Sequence, residues 1–250
     1  MIGARLRRWR LRRLLGKRAI PFPLWNAATR RIPLLSGLGP VRMAKLRALS
    51  SWFLARKSVY GVQGLEVTPP MQVEIAAQAC LLILDLGSEY YSGWVDVKLY
   101  PGAFRVKLEE ADEIGLVHEG IEDRTGESWL NGPVILSWED VSHSGPGWNV
   151  VLHEFAHKLD GLGGSMNGMP PLHPGMSRRD WAQAFGRAYE ALCDDVDDGL
   201  VPCIDPYAAE SPAEFFAVAT EYFYSDPLRL KSCYPEVYRQ LDRFYHPRGS

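Results

Sequence analysis

"WNVVLHEFAHKLDGLGG", residues 148–164, carries two histidines four residues apart with a glutamate directly after the first. On an α-helix His153 and His157 stand one turn apart on nearly the same face, so both imidazoles reach one ion. Glu154 lies about 100° round the axis, within reach of a water on that ion. The stretch reads as such a helix. Asn149 is a suitable N-cap after the break at Gly145, Pro146 and Gly147, Gly161 or Gly163 is the stop, and Val151, Leu152, Phe155, Ala156 and Leu159 between them are apolar. Two imidazoles and a carboxylate suit zinc and leave a fourth position for water, whose proton Glu154 can take. The bare motif arises by chance in roughly one chain of this size in a hundred. Its apolar flanks are what raise it, because buried histidines beside a glutamate need partners.

A third protein ligand has to come from elsewhere. The longer metalloprotease pattern places a histidine six residues after His157, where this chain has Gly163. His173 is near, but it sits in the Gly/Pro-rich loop 161–175, and loops hold ligands less well than helices. Loops of this length often cover an active site. "YAAESPAEFFAVATEYFYSDP", residues 207–227, is a better source. Between residues 213 and 224 it is apolar or aromatic except at Glu214, Thr220 and Glu221. Two glutamates seven apart share one helix face, and buried carboxylates are costly unless they meet a cation or a donor. Both are therefore expected to face the histidines. Ser211-Pro212-Ala213-Glu214 also spells a capping box, in which Glu214 merely bonds the backbone of Ser211. Spacing alone leaves Glu214 and Glu221 equal candidates. Asp160 and Glu221 can orient the ligand histidines through their outer ring nitrogens; the alternative for Asp160 is an exposed side chain that caps nothing.

Across its 250 residues the chain is 46% hydrophobic and 23% charged, which suits one main domain with a full core. No run approaches the roughly 18 apolar residues of a membrane span. The opening "MIGARLRRWRLRRLLGKRAIPFP" has the arginines of a signal peptide without its apolar stretch or cleavage site, so a cytoplasmic protein is expected. Cys80, Cys193, Cys203 and Cys233 are scattered, which fits reduced, mostly buried thiols. Residues 1–65 hold 15 Lys and Arg and no acid, against 13 bases and 30 acids in the remainder. Residues 1–19 read as a basic, disordered arm able to contact an acidic partner; nucleic-acid binding is the weaker reading because the rest is acidic.

Helical periodicity is expected over 41–57, 72–85, 178–194, 211–225 and 234–245. Four short strands are expected between 92 and 138, at "WVDVKLYP", "AFRVKLEE", "IGLVHEG" and "GPVILSW", the last a plausible edge against which a peptide lies extended. The fold class is α+β: one domain over residues 20–250 with a small mixed sheet, the HExxH helix and a C-terminal helical part.

"HEFAHKLD" at 153–160, "IDPYAAESPAEFFAVATEYFY" at 204–224, "LYPGAF" at 99–104 and "GPVILSW" at 132–138 together resemble the Mlc titration factor A family of bacterial zinc peptidases, from about Pro21 to Tyr245. The resemblance implies a zincin-like core similar to that of anthrax lethal factor. It implies one zinc held by His153, His157 and Glu214, with Glu154 as the catalytic glutamate. Tyr207, which by its residues alone reads as a core aromatic, becomes an active-site residue. The implied activity is aminopeptidase-like hydrolysis of peptide or amino-acid amides, and the implied partner is a transcriptional repressor. A rival reading is a zinc-bearing protein whose task is to sequester that repressor, with hydrolysis incidental. The basic stretch 5–18 lies outside the family's pattern.

Overall fold

The structure is a computed structural model and describes residues 19–102 and 132–247. Its helices are α1 (Phe22–Thr29), α2 (Pro40–Arg56), α3 (Pro69–Leu82), α4 (Trp138–Ser142), α5 (Val150–Asp160), α6 (Arg178–Asp197), α7 (Pro212–Ser225), α8 (Pro227–Cys233) and α9 (Pro235–Tyr245). The strands are β1 (Ser58–Gly61), β2 (Asp96–Tyr100) and β3 (Val134–Ser137). Pro40, Pro69, Pro212, Pro227 and Pro235 each open a helix, where the fixed φ suits the first turn and the missing N–H loses no bond. None of the described helices is long and apolar enough to cross a membrane.

The sheet runs in the order β1-β2-β3. Val59 pairs with Val97 and Val97 with Val134, so one register row is buried β-branched side chains. A parallel pair requires a crossover, and α3 supplies it between β1 and β2. That duty explains its composition. Packed against α1, α2 and α5, it is buried from Val73 through Leu82 and is apolar apart from Glu74 and Gln78. Helix α5 lies on β3 and α3 and faces α7. Its Phe155 ring sits 5.2 Å from Tyr91, 5.6 Å from Trp94 and 5.8 Å from Phe53 between ring centres, an aromatic knot that fixes the helix from below.

The expected helices all form, within a few residues of their expected ends. Of the four expected strands, "WVDVKLYP" and "GPVILSW" become β2 and β3, while "AFRVKLEE" and "IGLVHEG" lie outside the described residues. Both described pairings are parallel, where a mixed sheet was expected. Strand β1 gave no signal because in four residues it buries only Val59. The cysteine expectation needs correction: Cys203 and Cys233 form a disulfide, their Cα atoms 6.3 Å apart, leaving Cys80 and Cys193 free. The pair lies 30 residues apart, with α7 between them and Cys233 at the end of α8, so spacing could not show it. The basic arm lies outside the described residues over 1–18.

Two glycines set how α5 meets α7. Gly147, just before α5, has φ +74°, donates its N–H to Ser225 Oγ at 2.8 Å, and packs so close to Tyr222 that a Cβ would stand 2.5 Å from the ring. Gly168, in the loop after α5, has φ +77°, and a Cβ there would stand 2.4 Å from the Pro212 carbonyl oxygen. Its N–H donates to Asp160 Oδ2 at 2.7 Å and its carbonyl accepts from Trp181 Nε1 at 2.9 Å. The start of α5 is thus tied to the end of α7, and the end of α5 to the start of α7. The helices are antiparallel neighbours.

Gly168→Ala would force a side chain into left-handed backbone, costing about 1–2 kcal/mol before the Pro212 carbonyl is displaced. Denaturant midpoints measure this. Gly163→Ala, with open space around it, should stay within about 0.5 kcal/mol of the parent.

Candidate metal centre

Helix α5 begins on Asn149, whose Oδ1 accepts from Leu152 N–H at 2.9 Å, and it buries Val151, Leu152, Phe155, Ala156 and Leu159. That burial turns His153 and His157 towards α7, where Glu214 occupies the first turn. The two Nε2 atoms are 3.2 Å apart. The Glu214 carboxylate faces both, Oε2 lying 3.0 Å from His153 Nε2 and Oε1 3.3 Å from His157 Nε2. Tetrahedral ligands about 2.0–2.1 Å from one ion stand about 3.3 Å from each other, so the three groups match one face of such a polyhedron. Among the described residues these three form the one group of histidine, cysteine and carboxylate side chains close enough to share an ion. The donor set fits a divalent cation of zinc's size and preference.

The capping-box alternative for Glu214 is half realised. Ser211 Oγ accepts from the Glu214 N–H at 3.1 Å, while the Glu214 side chain turns to the histidines. Glu221 is buried at 2% exposure one face-repeat further on. Its Oε1 accepts from His153 Nδ1 at 2.8 Å and its Oε2 takes the Asn149 N–H. Such a contact fixes the ring and leaves Nε2 as the free donor atom. Asn149 in turn donates from Nδ2 to Gln78 Oε1 at 2.6 Å, so a chain of polar groups runs from α3 through the α5 cap to His153. Gln78 was missed from the sequence, although a lone amide in an otherwise apolar crossover helix was a usable signal.

Asp160 is fully buried, which removes the exposed alternative. It carries the Gly168 N–H and makes no hydrogen bond to His157; among the described residues His157 Nδ1 and Asp160 Oδ1 are buried without hydrogen-bond partners. Burial raises the Asp160 carboxyl to about 6 against the pull of the Gly168 N–H and His157. His173 lies elsewhere: its Nε2 donates to the Phe244 carbonyl at 2.8 Å and its ring stacks on Phe244.

Tyr207 is 45% exposed and belongs to no core. The short turn Pro206–Ala209 presents it, with Asp205 Oδ1 accepting the Tyr207 N–H at 2.9 Å, and its ring centre is 5.9 Å from that of His153. Partial burial and the carboxylates of Glu214, Glu210 and Glu154 push its hydroxyl up to about 12, so it stays a donor at neutral pH. Glu154 is raised above the usual carboxylate range by burial, which outweighs the attraction of His153 and His157. A cavity of about 270 Å³ opens beside Glu154, Tyr207 and His153.

Burial alone would lower His153, but Glu214 and Glu221 on its two nitrogens raise it to about 10. Burial would likewise raise Glu214, and its two histidine partners bring it down to about 2. At neutral pH the metal-free centre therefore holds a proton on His153, and an incoming cation must expel it. Metal affinity is expected to climb about tenfold per pH unit between pH 6 and 8, with about one proton released per ion. Calorimetry in buffers of different ionisation enthalpy counts that proton; an affinity flat across this range would contradict the charge state.

Comparison with known proteins agrees with this chemistry. A model of the family described as glucose-regulated metallo-peptidase M90 matches residues 6–246. The Mlc titration factor A of Klebsiella pneumoniae (strain 342) is 39% identical over 225 residues, covering 88% of this chain and 84% of its own length. Those of Yersinia pestis (strain Pestoides F) and Yersinia pseudotuberculosis serotype O:1b (strain IP 31758) are each 38% identical over 229 residues, covering 88% and 83%. An HExxH helix set against a glutamate helix, in a chain matched to this family almost from end to end, leads to one conclusion: the protein belongs to the glucose-regulated metallo-peptidase family M90.

Proposed function

We propose that this protein is a zinc-dependent peptidase that cleaves peptide or amino-acid amide bonds in an aminopeptidase-like manner, within one zincin-like catalytic domain over residues 20–250. The observation that carries the reading is the three-donor face of His153, His157 and Glu214, with separations of 3.0 to 3.3 Å, beside the buried Glu154. His153, His157 and Glu214 would hold one zinc. When bound, the ion lowers the pKa of water towards neutrality and polarises the scissile carbonyl. Glu154, lifted towards neutral pH by burial, takes the proton of the attacking water and passes it to the leaving amine. Tyr207 keeps its proton and donates it in a hydrogen bond to the developing oxyanion. Glu221 holds the His153 ring, and Asp160 places negative charge near His157 while bracing the loop after α5. Strand β3, at the sheet edge among the described residues, offers backbone groups for an extended substrate. The reading places the protein in the cytoplasm.

Zinc-loaded protein should carry about one ion per chain. Glu154→Gln should keep that ion and lose roughly 10²-fold or more in rate, and Tyr207→Phe should keep it and lose rate through the oxyanion. Glu214→Gln should weaken zinc binding far more than Glu221→Gln, since one removes a ligand and the other an orienting contact. Metal analysis with turnover of a panel of amino-acid anilides measures all four, and a fully active Glu154→Gln would sink the assignment of the base.

A second reading is favoured by the relatives' name, which describes a factor that titrates Mlc. We carry it over as binding of a transcriptional repressor by an exterior surface, with residues 1–19 available to an acidic partner. Glu154 lies inside the cleft, so Glu154→Gln should retain repressor capture if sequestration is the task. A cellular effect lost in that variant, while zinc and capture persist, would assign the effect to hydrolysis.

A further inference from the structure

The cavity beside Glu154 has one carboxylate that the catalytic reading does not use. Of its acidic lining groups, Glu154 is the base and Glu221 is committed to His153 and the Asn149 N–H. Asp205 remains. Its Oδ1 accepts the Tyr207 N–H, and no basic side chain pairs with its carboxylate among the described residues. Arg229, the cation that reaches this segment, donates to the Cys203 carbonyl and lies against the Tyr222 ring. A carboxylate has about four acceptor positions, and most of those on Asp205 are open.

The remaining walls are apolar. Trp148, 47% exposed, stands with Val150 at the start of α5, and Val218 faces them from α7. Trp148 is held there by its antiparallel bridge with Gly145, and Gly147 allows the approach to Tyr222. A pocket with a carbon-lined body and, beyond the catalytic base, one carboxylate without a cationic partner among the described residues selects a carbon chain ending in a cation. Asp205 and Tyr207 also share one turn, two residues apart, with the first capping the second. The anchor for a positive group and the donor for the oxyanion are therefore held at a fixed separation.

We propose that this cavity is an alkylammonium subsite: Asp205 receives a substrate's ammonium group, and Trp148, Val150 and Val218 receive the adjoining carbon chain. The inference rests on the peptidase reading. The ammonium has two chemical sources, the N-terminus of a peptide or the side chain of a lysine, and either would place the scissile carbonyl by pairing the charge at Asp205.

Asp205→Asn is the discriminating variant, since the amide oxygen still caps the Tyr207 N–H while the charge is gone. Turnover would be measured on leucine 4-nitroanilide, N-acetyl-leucine 4-nitroanilide and N-acetyl-lysine 4-nitroanilide with zinc-loaded protein. The parent should prefer an ammonium-bearing substrate over the neutral N-acetyl-leucine compound, and Asp205→Asn should reduce that preference in kcat/KM by about tenfold or more, mostly through KM. A reduction confined to leucine anilide assigns the N-terminal ammonium, and one confined to the acetyl-lysine compound assigns the side chain. An unchanged preference overturns the proposal. The second measurement needs no turnover: in the Glu154→Gln background, calorimetry should show leucinamide or N-acetyl-lysinamide binding more tightly than N-acetyl-leucinamide, with the difference lost on adding Asp205→Asn. Absence of turnover with this binding difference intact would count against the peptidase reading alone, whereas turnover without the binding difference would overturn the subsite alone.

Discussion

Two carboxylates on one face of an apolar helix are the demand around which this molecule is arranged. Glu214 and Glu221 project from α7, whose buried length is otherwise apolar or aromatic apart from Thr220, and an uncompensated buried charge costs several kcal/mol. His153 answers both, Nε2 turned to Glu214 and Nδ1 to Glu221. One imidazole gripped at both nitrogens has a fixed ring plane, and the helix carrying it has a fixed height on α7. The rest follows from keeping that height. Gly147 and Gly168 allow the chain on either side of α5 to touch opposite ends of α7 without a side chain between them, and Asn149 caps α5 while giving its own N–H to Glu221. His157 and Glu154 then arrive at the cleft as consequences of helical geometry.

The motif helix and its partner were legible in the sequence because their information is periodic. Apolar residues around His153 and His157 gave the buried face of α5, and the seven-residue interval between Glu214 and Glu221 gave the acidic face of α7. The choice between the glutamates was not legible from spacing, since both lie on the same face; it depends on the height at which the helices meet. Tyr207 was hidden for a related reason: an aromatic next to a proline looks the same in a core and in a turn over a cleft. The longer α-helices were readable, the short α1, α4 and α8 were not expected, and the sheet was only partly readable. Strand β1 has one buried side chain and no alternation, and the parallel pairing depends on a crossover that only the packing of α3 reveals. The Cys203–Cys233 pair belongs with these, being a contact made by the path of α7 and α8.

The partition of donors between α5 and α7 also bears on how the chain reaches and keeps its fold. Helix α6 and the long loop 161–177 lie between the two halves, so the centre does not exist until a distant segment has docked. An early ensemble with only α5 formed offers a cation two imidazoles and no glutamate, a poor grip. Closure of that interval therefore precedes coordination by all three donors, so an ion held by the full set adds its stabilisation once α5 and α7 have met. Stabilisation that appears late on the folding route acts chiefly on the reverse rate. An ion at this centre would leave the speed of folding nearly as it was and lengthen the lifetime of the folded chain, making metal supply a control on how long each molecule survives.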